Sequence, residues 1–317
     1  MPATARKIES QIESMPDIRI AKESDRAAWD AFVMEQPSAG PYHTFAWKKA
    51  VETAYGHRAM YLIAEDPAGD IAGVLPLTLI KPPLIKGTLV SQPFCDYGGV
   101  LAKDENTAAL LVGKAQEISD DHKAALEIRC KQPEPCLEDS PDLTVSSHKV
   151  RMILDLPGSS DILWKSLKAK VRNQVRRPTK DGMVFKLGGA EFIDDFYTVF
   201  ARNMRELGSP VHARKWIGAV LEAFGDSARV GIVYKEQTPV AGGIILSSED
   251  TVSIPWASAL SEYKKSSPNM LLYWGFLEHA SDTGAQQFDF GRSTPDEGTY
   301  RFKAQWGARP EPVFWYS

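Results

Sequence analysis

The chain has 317 residues, beyond what one hydrophobic core usually serves, so its length predicts two domains or one large one. Hydrophobic residues at 43% and charged residues at 25% are ordinary for a globular protein, and a net charge of −4 excludes a general pull toward nucleic acid, DNA included, so any polyanion site has to be local. Cys95, Cys130 and Cys136 form no Cys-x-x-Cys pair, and six histidines (His43, His57, His122, His148, His212, His279) show no His-x-x-x-His spacing, which argues against a disulfide framework and against a metal site.

Residues 1–17 lack the apolar core of a secretory signal and read as a flexible tail. The most apolar stretch, 71–90, is interrupted by Pro76, Lys81, Pro82, Pro83 and Lys86, so it cannot supply the run of about 20 apolar residues that spans a bilayer. A reduced, cytoplasmic protein is the expectation. A strand is predicted at 18–20 and a helix at 24–34, capped by Ser24. After the Pro/Gly break at 37–41 come a helix over 47–56 and two strand-like runs, 58–64 and 70–79, around a turn.

The same order returns 169 residues later, without a gap. Trp47 matches Trp216, Ala50 matches Ala219, Val51 matches Val220, Gly56 matches Gly225, and Ala72-Gly73 match Ala241-Gly242. We read two copies of one α/β unit. In each copy a later helix leads into a further strand: 106–119 into 126–130, and 269–282 into 288–290. Hairpin-paired strands followed by a helix and one more strand predict an α/β fold with mixed sheets. The proline-containing segment 132–143 links the copies, and 150–156 reads as a strand, which gives domains at 18–150 and 151–317.

Between Asp161 and Asp181 the chain carries seven cations and no acid, leaving the rest of the molecule at −11. Trp164, Leu167, Val171 and Val175 predict one buried helix face, and Lys165, Lys168, Arg172 and Arg176 form a cationic stripe about 100° around it. Pro178 and Gly182 end that helix. Helices usually interleave acids at i+4, so a stripe without them reads either as a phosphate site or as a solvated face neutralised by its acidic surroundings. Phe192, Phe196, Phe200 and Met204 then mark a core-facing helix, stopped at Gly208-Ser209-Pro210, and His212 follows on a loop beside Arg214. Lys264, Lys265, Ser266, Ser267 and Pro268 precede the helix at 269: either an anion site at a helix start or a simple serine cap.

The stretch 284–306 collects Asp289, Arg292, Ser293, Tyr300, Arg301 and Lys303 within fifteen positions, on a strand, a Pro/Asp/Gly loop and a second run opening at Tyr300. Strand ends leading into loops are where scaffolds present reactive groups.

With FAWKKAV (45–51), KAKVRNQVRRPTKDGMVF (168–185), MRELGSPV, PVAGGIIL and FDFGRS…GTYRFKAQWG in place, nearly the whole chain resembles the FemAB/FemX family, peptidyltransferases built from two tandem acetyltransferase-like (GNAT) domains. Within it, the chain is most similar to the FemAB-like subgroup of exopolysaccharide and exosortase gene clusters. The resemblance implies a cleft that binds an activated donor, aminoacyl-tRNA or acyl-CoA, and an amine-bearing glycopeptide or glycan-precursor acceptor, with no tightly bound cofactor. It implies that Lys303 stabilises the oxyanion of acyl transfer and that Lys49 contacts substrate phosphate. A family arginine falls on His212, with Arg214 nearby, and the coiled-coil arm of some members is absent. Asp289 or Tyr300 is then the candidate for proton removal, while Lys49, Arg172, Arg176, His212, Arg214, Arg292, Lys264 and Lys265 are candidates for holding substrate or its phosphate. Two alternatives remain: an acyl-CoA or acyl-carrier N-acyltransferase, and a non-catalytic binder of an anionic glycan precursor or nucleotide sugar.

Overall fold

The computed structural model describes residues 15–138, 140 and 143–317. The tail expected at the N-terminus lies outside the described residues as far as position 14, and Asp17 already opens strand β1 (Asp17–Ile20). Two compact units form: one from the chain up to Lys48, Gly56–Ser147 and Pro312–Ser317, the other from Lys49–Tyr55 and His148–Glu311. The division expected at residue 150 therefore needs correcting in two places. The C-terminal residues join the first unit because their strand pairs there, and the later part of one early helix is grouped with the second.

In the first unit, β1 leads through a turn at Glu23–Asp25 into α1 (Arg26–Met34), which buries Trp29, Phe32 and Val33. Asp25, not Ser24, stands at the N-cap. Its carboxylate is taken by Arg19 at 2.6 Å, and the same guanidinium holds Glu65 at 2.6 Å, which keeps both carboxyls below their usual range. Then come α2 (Phe45–Tyr55), β2 (Arg58–Ala59), β3 (Leu62–Glu65), β4 (Ile71–Leu75), β5 (Thr78–Ile80), β6 (Thr88–Val90) and β7 (Leu101–Ala102). Helix α3 (Glu105–Asp121) follows, its first turn capped by the Asp104 side chain, which accepts the Thr107 N–H at 2.8 Å. It delivers the chain to β8 (Ala125–Cys130), α4 (Pro135–Glu138) and β9 (Val145–Ser146).

Each of the two strand runs predicted after α2 divides between two sheets. Strands β1-β3-β4-β7 form one sheet, and β2-β5-β6-β8-β17-β9, with β17 at Phe314–Tyr316, form the other. The cause is local: Pro76, between β4 and β5, has no N–H to donate to a ladder. A single bond from Met60 N–H to Leu77 O at 2.7 Å carries the hairpin across the break.

The second unit is one seven-stranded sheet, order β11-β12-β13-β14-β15-β10-β16. It begins with β10 (Val150–Asp155), α5 (Ser160–Ser166), α6 (Ala169–Lys180), β11 (Met183–Gly188) and α7 (Ile193–Glu206). It continues with α8 (Arg214–Phe224), β12 (Ala228–Lys235), β13 (Thr238–Ser248), β14 (Thr251–Ala259) and α9 (Pro268–Asp282), then β15 (Gln287–Ser293), α10 (Gly298–Ala304) and β16 (Arg309–Pro312). The repeat is visible in the elements, since α2 and α8 begin and end at the same offset of 169 and each precedes an antiparallel pair, β3/β4 or β12/β13.

The single basic helix predicted over 161–181 is two helices. Leu167 and Lys168 are extended (ψ 142° and 145°), because burying Leu167 on the core requires the chain to turn there. That break frees carbonyls at the end of α5, and Arg172 closes it, donating from Nη1 to Leu167 O at 2.8 Å and Lys165 O at 3.1 Å. Arg176 lies over the Trp164 ring at 5.2 Å. Two members of the predicted phosphate stripe thus tie α6 to α5.

Candidate functional site

Strands β14 and β15 run parallel and pair only over Thr251–Ser253 and Gln287–Asp289. Beyond that point β14 stays with β13 as far as Ala259, while β15 stays with β10 as far as Ser293. The sheet therefore splits into two diverging halves, and the wedge between them is a cleft of about 320 Å³. Its walls are Ala257, Ser258 and Ala259 of β14, Asn269, Leu272 and Tyr273 of α9, Gly298, Thr299, Phe302 and Lys303 of α10, and Asn203 of α7.

Lys303 is 8% exposed at this wall. Its ammonium donates to Gly291 O at 3.0 Å and to Arg292 O at 2.8 Å, so its head is fixed by the end of β15. The carbonyls are presented by an irregularity in that strand: Arg151 faces Arg292 and Ile153 faces Asp289, leaving Phe290 and Gly291 opposite Met152 alone. Gly291 has φ +73°, the left-handed conformation that a bulge of this kind requires and that glycine adopts without strain. Asp289 holds the bulge in place: one oxygen accepts the Gly291 N–H at 2.8 Å, and the other takes Arg151 Nη1 at 2.8 Å. Arg151 in turn donates from Nη2 to Glu311 at 2.8 Å.

That geometry corrects the role expected for Asp289. Its side chain is 3% exposed, ion-paired to a guanidinium that is 7% exposed, and outside the cleft lining, so its lone pairs are committed to bracing the bulge rather than to taking a proton. Tyr300 is half-buried on α10 against the core and also lies outside the lining, and exposed Arg292 contributes its carbonyl.

Lys264 and Lys265 are exposed on a short turn (Ser261–Ser266) that feeds α9, with Ser267 at the N-cap at φ +58° and Pro268 in the first turn. No side-chain bond caps that helix, and its second residue, Asn269, lines the cleft. A helix start with two lysines beside it thus borders the wedge.

The other expected phosphate ligands lie elsewhere. Arg214 is ion-paired with Asp194 at 2.7 Å on an exposed face. His212 is packed among rings, 6.2 Å from Trp216 and 6.3 Å from Trp256, with its Nδ1 3.3 Å from the Tyr55 hydroxyl and its carbonyl accepting from Tyr197 at 3.2 Å. Burial lowers its pKa, which opposes the protonated form that would hold a phosphate. Lys49 is exposed on α2.

Residues that sequence reasoning missed complete the site. Tyr273 stacks on Phe290 at 5.6 Å and meets Phe302 edge-on at 4.9 Å, and burial pushes its phenol up. Ser258 is 5% exposed and its Oγ has no hydrogen-bond partner among the described residues. Arg151 had a signal, as a lone cation in the apolar run VRMILD. Ser258 had only the small residues alternating along WASA.

The first unit builds the same parallel pair, β6 with β8 over Thr88–Val90 and Ala125–Glu127, but fills its wedge. Ser91 N–H donates to Glu127 O at 2.8 Å and Gly98 N–H to Arg129 O at 3.0 Å, so residues 91–98 close along β8. A Cβ at Gly99 would lie 2.5 Å from Cys130 Sγ, which shows how closely the plug is packed. A cavity of about 60 Å³ remains there, lined in part by His43, Cys130 and Glu134.

The sequence model of the acetyltransferase (GNAT) domain matches residues 165–304, which contain the open wedge. No curated protein matches the sequence. Among solved structures, the crystal structure of FemX is 14% identical with a TM-score of 0.73, over 94% of this chain and 96% of that one. The C-terminal domain (DUF2156) of a putative lysylphosphatidylglycerol synthetase from Agrobacterium fabrum is 14% identical with a TM-score of 0.63, over 92% and 91%. A tandem GNAT protein from the clavulanic acid biosynthesis pathway is 12% identical with a TM-score of 0.61, over 95% and 98%. The chain has the tandem GNAT fold of FemX, with mixed α/β sheets.

Proposed function

We propose that this protein is an acyl or aminoacyl transferase that forms an amide bond between an activated donor and an amine-bearing acceptor. The observation that carries the reading is the wedge between β14 and β15 with the Lys303 ammonium fixed at its wall. A carbonyl held in the wedge develops negative charge as the acceptor amine attacks it. A buried cation positioned beforehand stabilises that charge without reorganising, a contribution of about 3–4 kcal/mol for one well-placed donor. The amine loses its proton on forming the amide. With Asp289 committed to Arg151 and Tyr300 outside the cleft lining, a second amine of the acceptor takes that proton.

The donor is an aminoacyl-tRNA and the acceptor an amine-bearing glycopeptide or exopolysaccharide precursor, as the FemX-like fold suggests. A cytoplasmic location follows, because that donor pool is cytoplasmic. One observation favours a second reading with an acyl-CoA donor: the uncapped start of α9, next to Lys264 and Lys265, opens on the wedge and suits a diphosphate.

A thermal-shift titration separates these readings. An acyl-CoA, a charged-tRNA end analogue and a nucleotide-linked muramyl peptide are added in parallel, and a ligand at about 100 times its Kd adds roughly 2.7 kcal/mol. A shift with the tRNA analogue or the muramyl peptide supports the first reading, and a shift with acyl-CoA alone supports the second. Turnover is then followed with whichever donor binds. Lys303→Ala lowers kcat about 10²–10³-fold if the lysine meets the oxyanion. Unchanged turnover in Lys303→Ala would remove it from the chemistry, and ligand binding without turnover on any donor would leave a binding protein.

A further inference from the structure

The loop between β5 and β6 has the sequence Lys81-Pro82-Pro83-Leu84-Ile85-Lys86-Gly87. Leu84 is 104% exposed and Ile85 66% exposed, the two highest values among the large hydrophobic residues described. Two adjacent prolines restrict the approach to the tip, and Leu84 is held at φ +68°, so the apolar pair is presented by a stiff hairpin rather than by a slack loop. Lys81 and Lys86 bracket the pair, and the loop contains no acid.

From this arrangement we infer that the β5–β6 tip is a peripheral anchor for an anionic lipid bilayer. Two side chains cannot supply the roughly 800 Å² per partner of a stable protein interface, whereas a bilayer accepts an isolated apolar tip at any orientation about its axis. The charge fits that partner. Exposed Arg58 on β2 pairs across to Leu79 at the base of the loop, and exposed Lys123 lies two residues before Ala125, whose N–H donates to Gly87 O at 2.8 Å. With Lys81 and Lys86 these make four cations at this end of the sheet, against exposed Asp120 and Asp121 at the end of α3. The chain as a whole is acidic, so attraction to an anionic surface is confined to such a patch and fixes which end approaches. Behind the tip, Pro82 and Ile85 line a groove of about 280 Å³ that mixes Ile80, Val90, Pro93 and Phe94 with Lys86, Thr88, Glu127 and Arg129, so the apolar contact is confined to the tip itself. No described helix is long and apolar enough to cross a membrane, so the contact is peripheral and reversible.

Vesicle flotation with the full chain tests the anchor without reference to any enzymatic activity. Phosphatidylcholine vesicles with phosphatidylglycerol added bind the protein about thirty-fold more tightly than phosphatidylcholine alone, the factor expected from two lysines at the surface, and raised salt erases the difference. Replacing both apolar residues, Leu84→Ser with Ile85→Ser, weakens binding at least about a hundred-fold. Lys81→Gln with Lys86→Gln brings the two vesicle types level. All four side chains are solvent-facing, so circular dichroism and Tm stay at the wild-type values. A Leu84→Trp variant gives an independent readout: its emission shifts to the blue and is quenched by brominated acyl chains on the anionic vesicles. Three results would each overturn the inference: failure of the wild-type protein to bind anionic vesicles, binding that survives loss of both apolar residues, or a Leu84→Trp variant whose added emission neither shifts nor quenches.

Discussion

Asp289 separates a bracing role from a catalytic one. Replacing it with alanine takes from Arg151, 7% exposed, its buried carboxylate partner, while Glu311, the other carboxylate paired with it, is 34% exposed to water. Removing one partner of a buried ion pair costs about 3–5 kcal/mol, because the remaining charge keeps its desolvation penalty. The Gly291 N–H also loses its acceptor, and the two carbonyls that hold Lys303 are released from their register. For a cooperative unit of this size each kcal/mol lowers Tm by about 2–4 °C, so a fall of about 10 °C is expected, with a matching drop in the urea midpoint. Isosteric Asp289→Asn loses less, since one amide oxygen satisfies either Arg151 or the Gly291 N–H but not both. Replacing both buried partners, Arg151→Met with Asp289→Leu, recovers most of the loss, because no unpaired charge is then left in the core. Denaturant melts of the four proteins close a double-mutant cycle. A Tm within about 1 °C of wild type for Asp289→Ala, together with abolished turnover, would refute the brace and return Asp289 to proton transfer.

Gly291→Ala forces a Cβ onto a backbone with φ +73°, at a cost of about 1–2 kcal/mol, and moves the carbonyls that fix Lys303; urea melts read the first effect and kcat the second. Arg172→Ala removes the cap at the end of α5 and lowers stability by about 1 kcal/mol while leaving the affinity for phosphate-bearing ligands unchanged, whereas a phosphate-holding arginine would show the reverse. His43 is buried and its pKa is lowered to about 3 by desolvation and by Lys131. Between its unfolded value near 6.5 and about 3, the unfolded chain binds a proton that the folded chain refuses. This histidine's contribution is therefore full above pH 6.5 and falls by about 1.4 kcal/mol per pH unit on acidification, and His43→Gln flattens the slope of stability against pH over that window.

Legibility followed the range of the physics. The repeat was readable because helix-to-hairpin order is local and the matched residues, Trp47 and Trp216 or Ala50 and Ala219, are buried in both copies. What the sequence concealed is tertiary. The helical spacing of Trp164, Leu167 and Val171 holds on paper through Lys168, yet the core takes Leu167 only if the chain straightens there, and the resulting loose end consumes Arg172. Charge type alone could not separate a cation that waits for phosphate from one that caps a helix, as Arg172 does, or pairs with Asp194, as Arg214 does. Lys303 was legible as part of a dense polar stretch, but its fixed position depends on a bulge whose brace, Arg151, lies 138 residues from Asp289.

The two units make this point in opposite ways. Both lay down a hairpin, a helix and a parallel strand pair, so both generate a wedge where that pair diverges. In the first, the ten residues between β6 and β7 carry Gly98 and Gly99, and the absence of side chains there lets the backbone close against Arg129 and Cys130 until the wedge is gone. In the second, β14 passes instead through a short turn into α9, and nothing of comparable length lies down between Ala257 and Gly291. Glycine serves opposite ends in the two places: close approach that fills one wedge, and a left-handed bulge that sets a lysine at the wall of the other. A substitution such as Gly99→Ala would therefore destabilise the first unit, because its Cβ would lie 2.5 Å from the Cys130 sulfur and 2.9 Å from the Arg129 carbonyl oxygen.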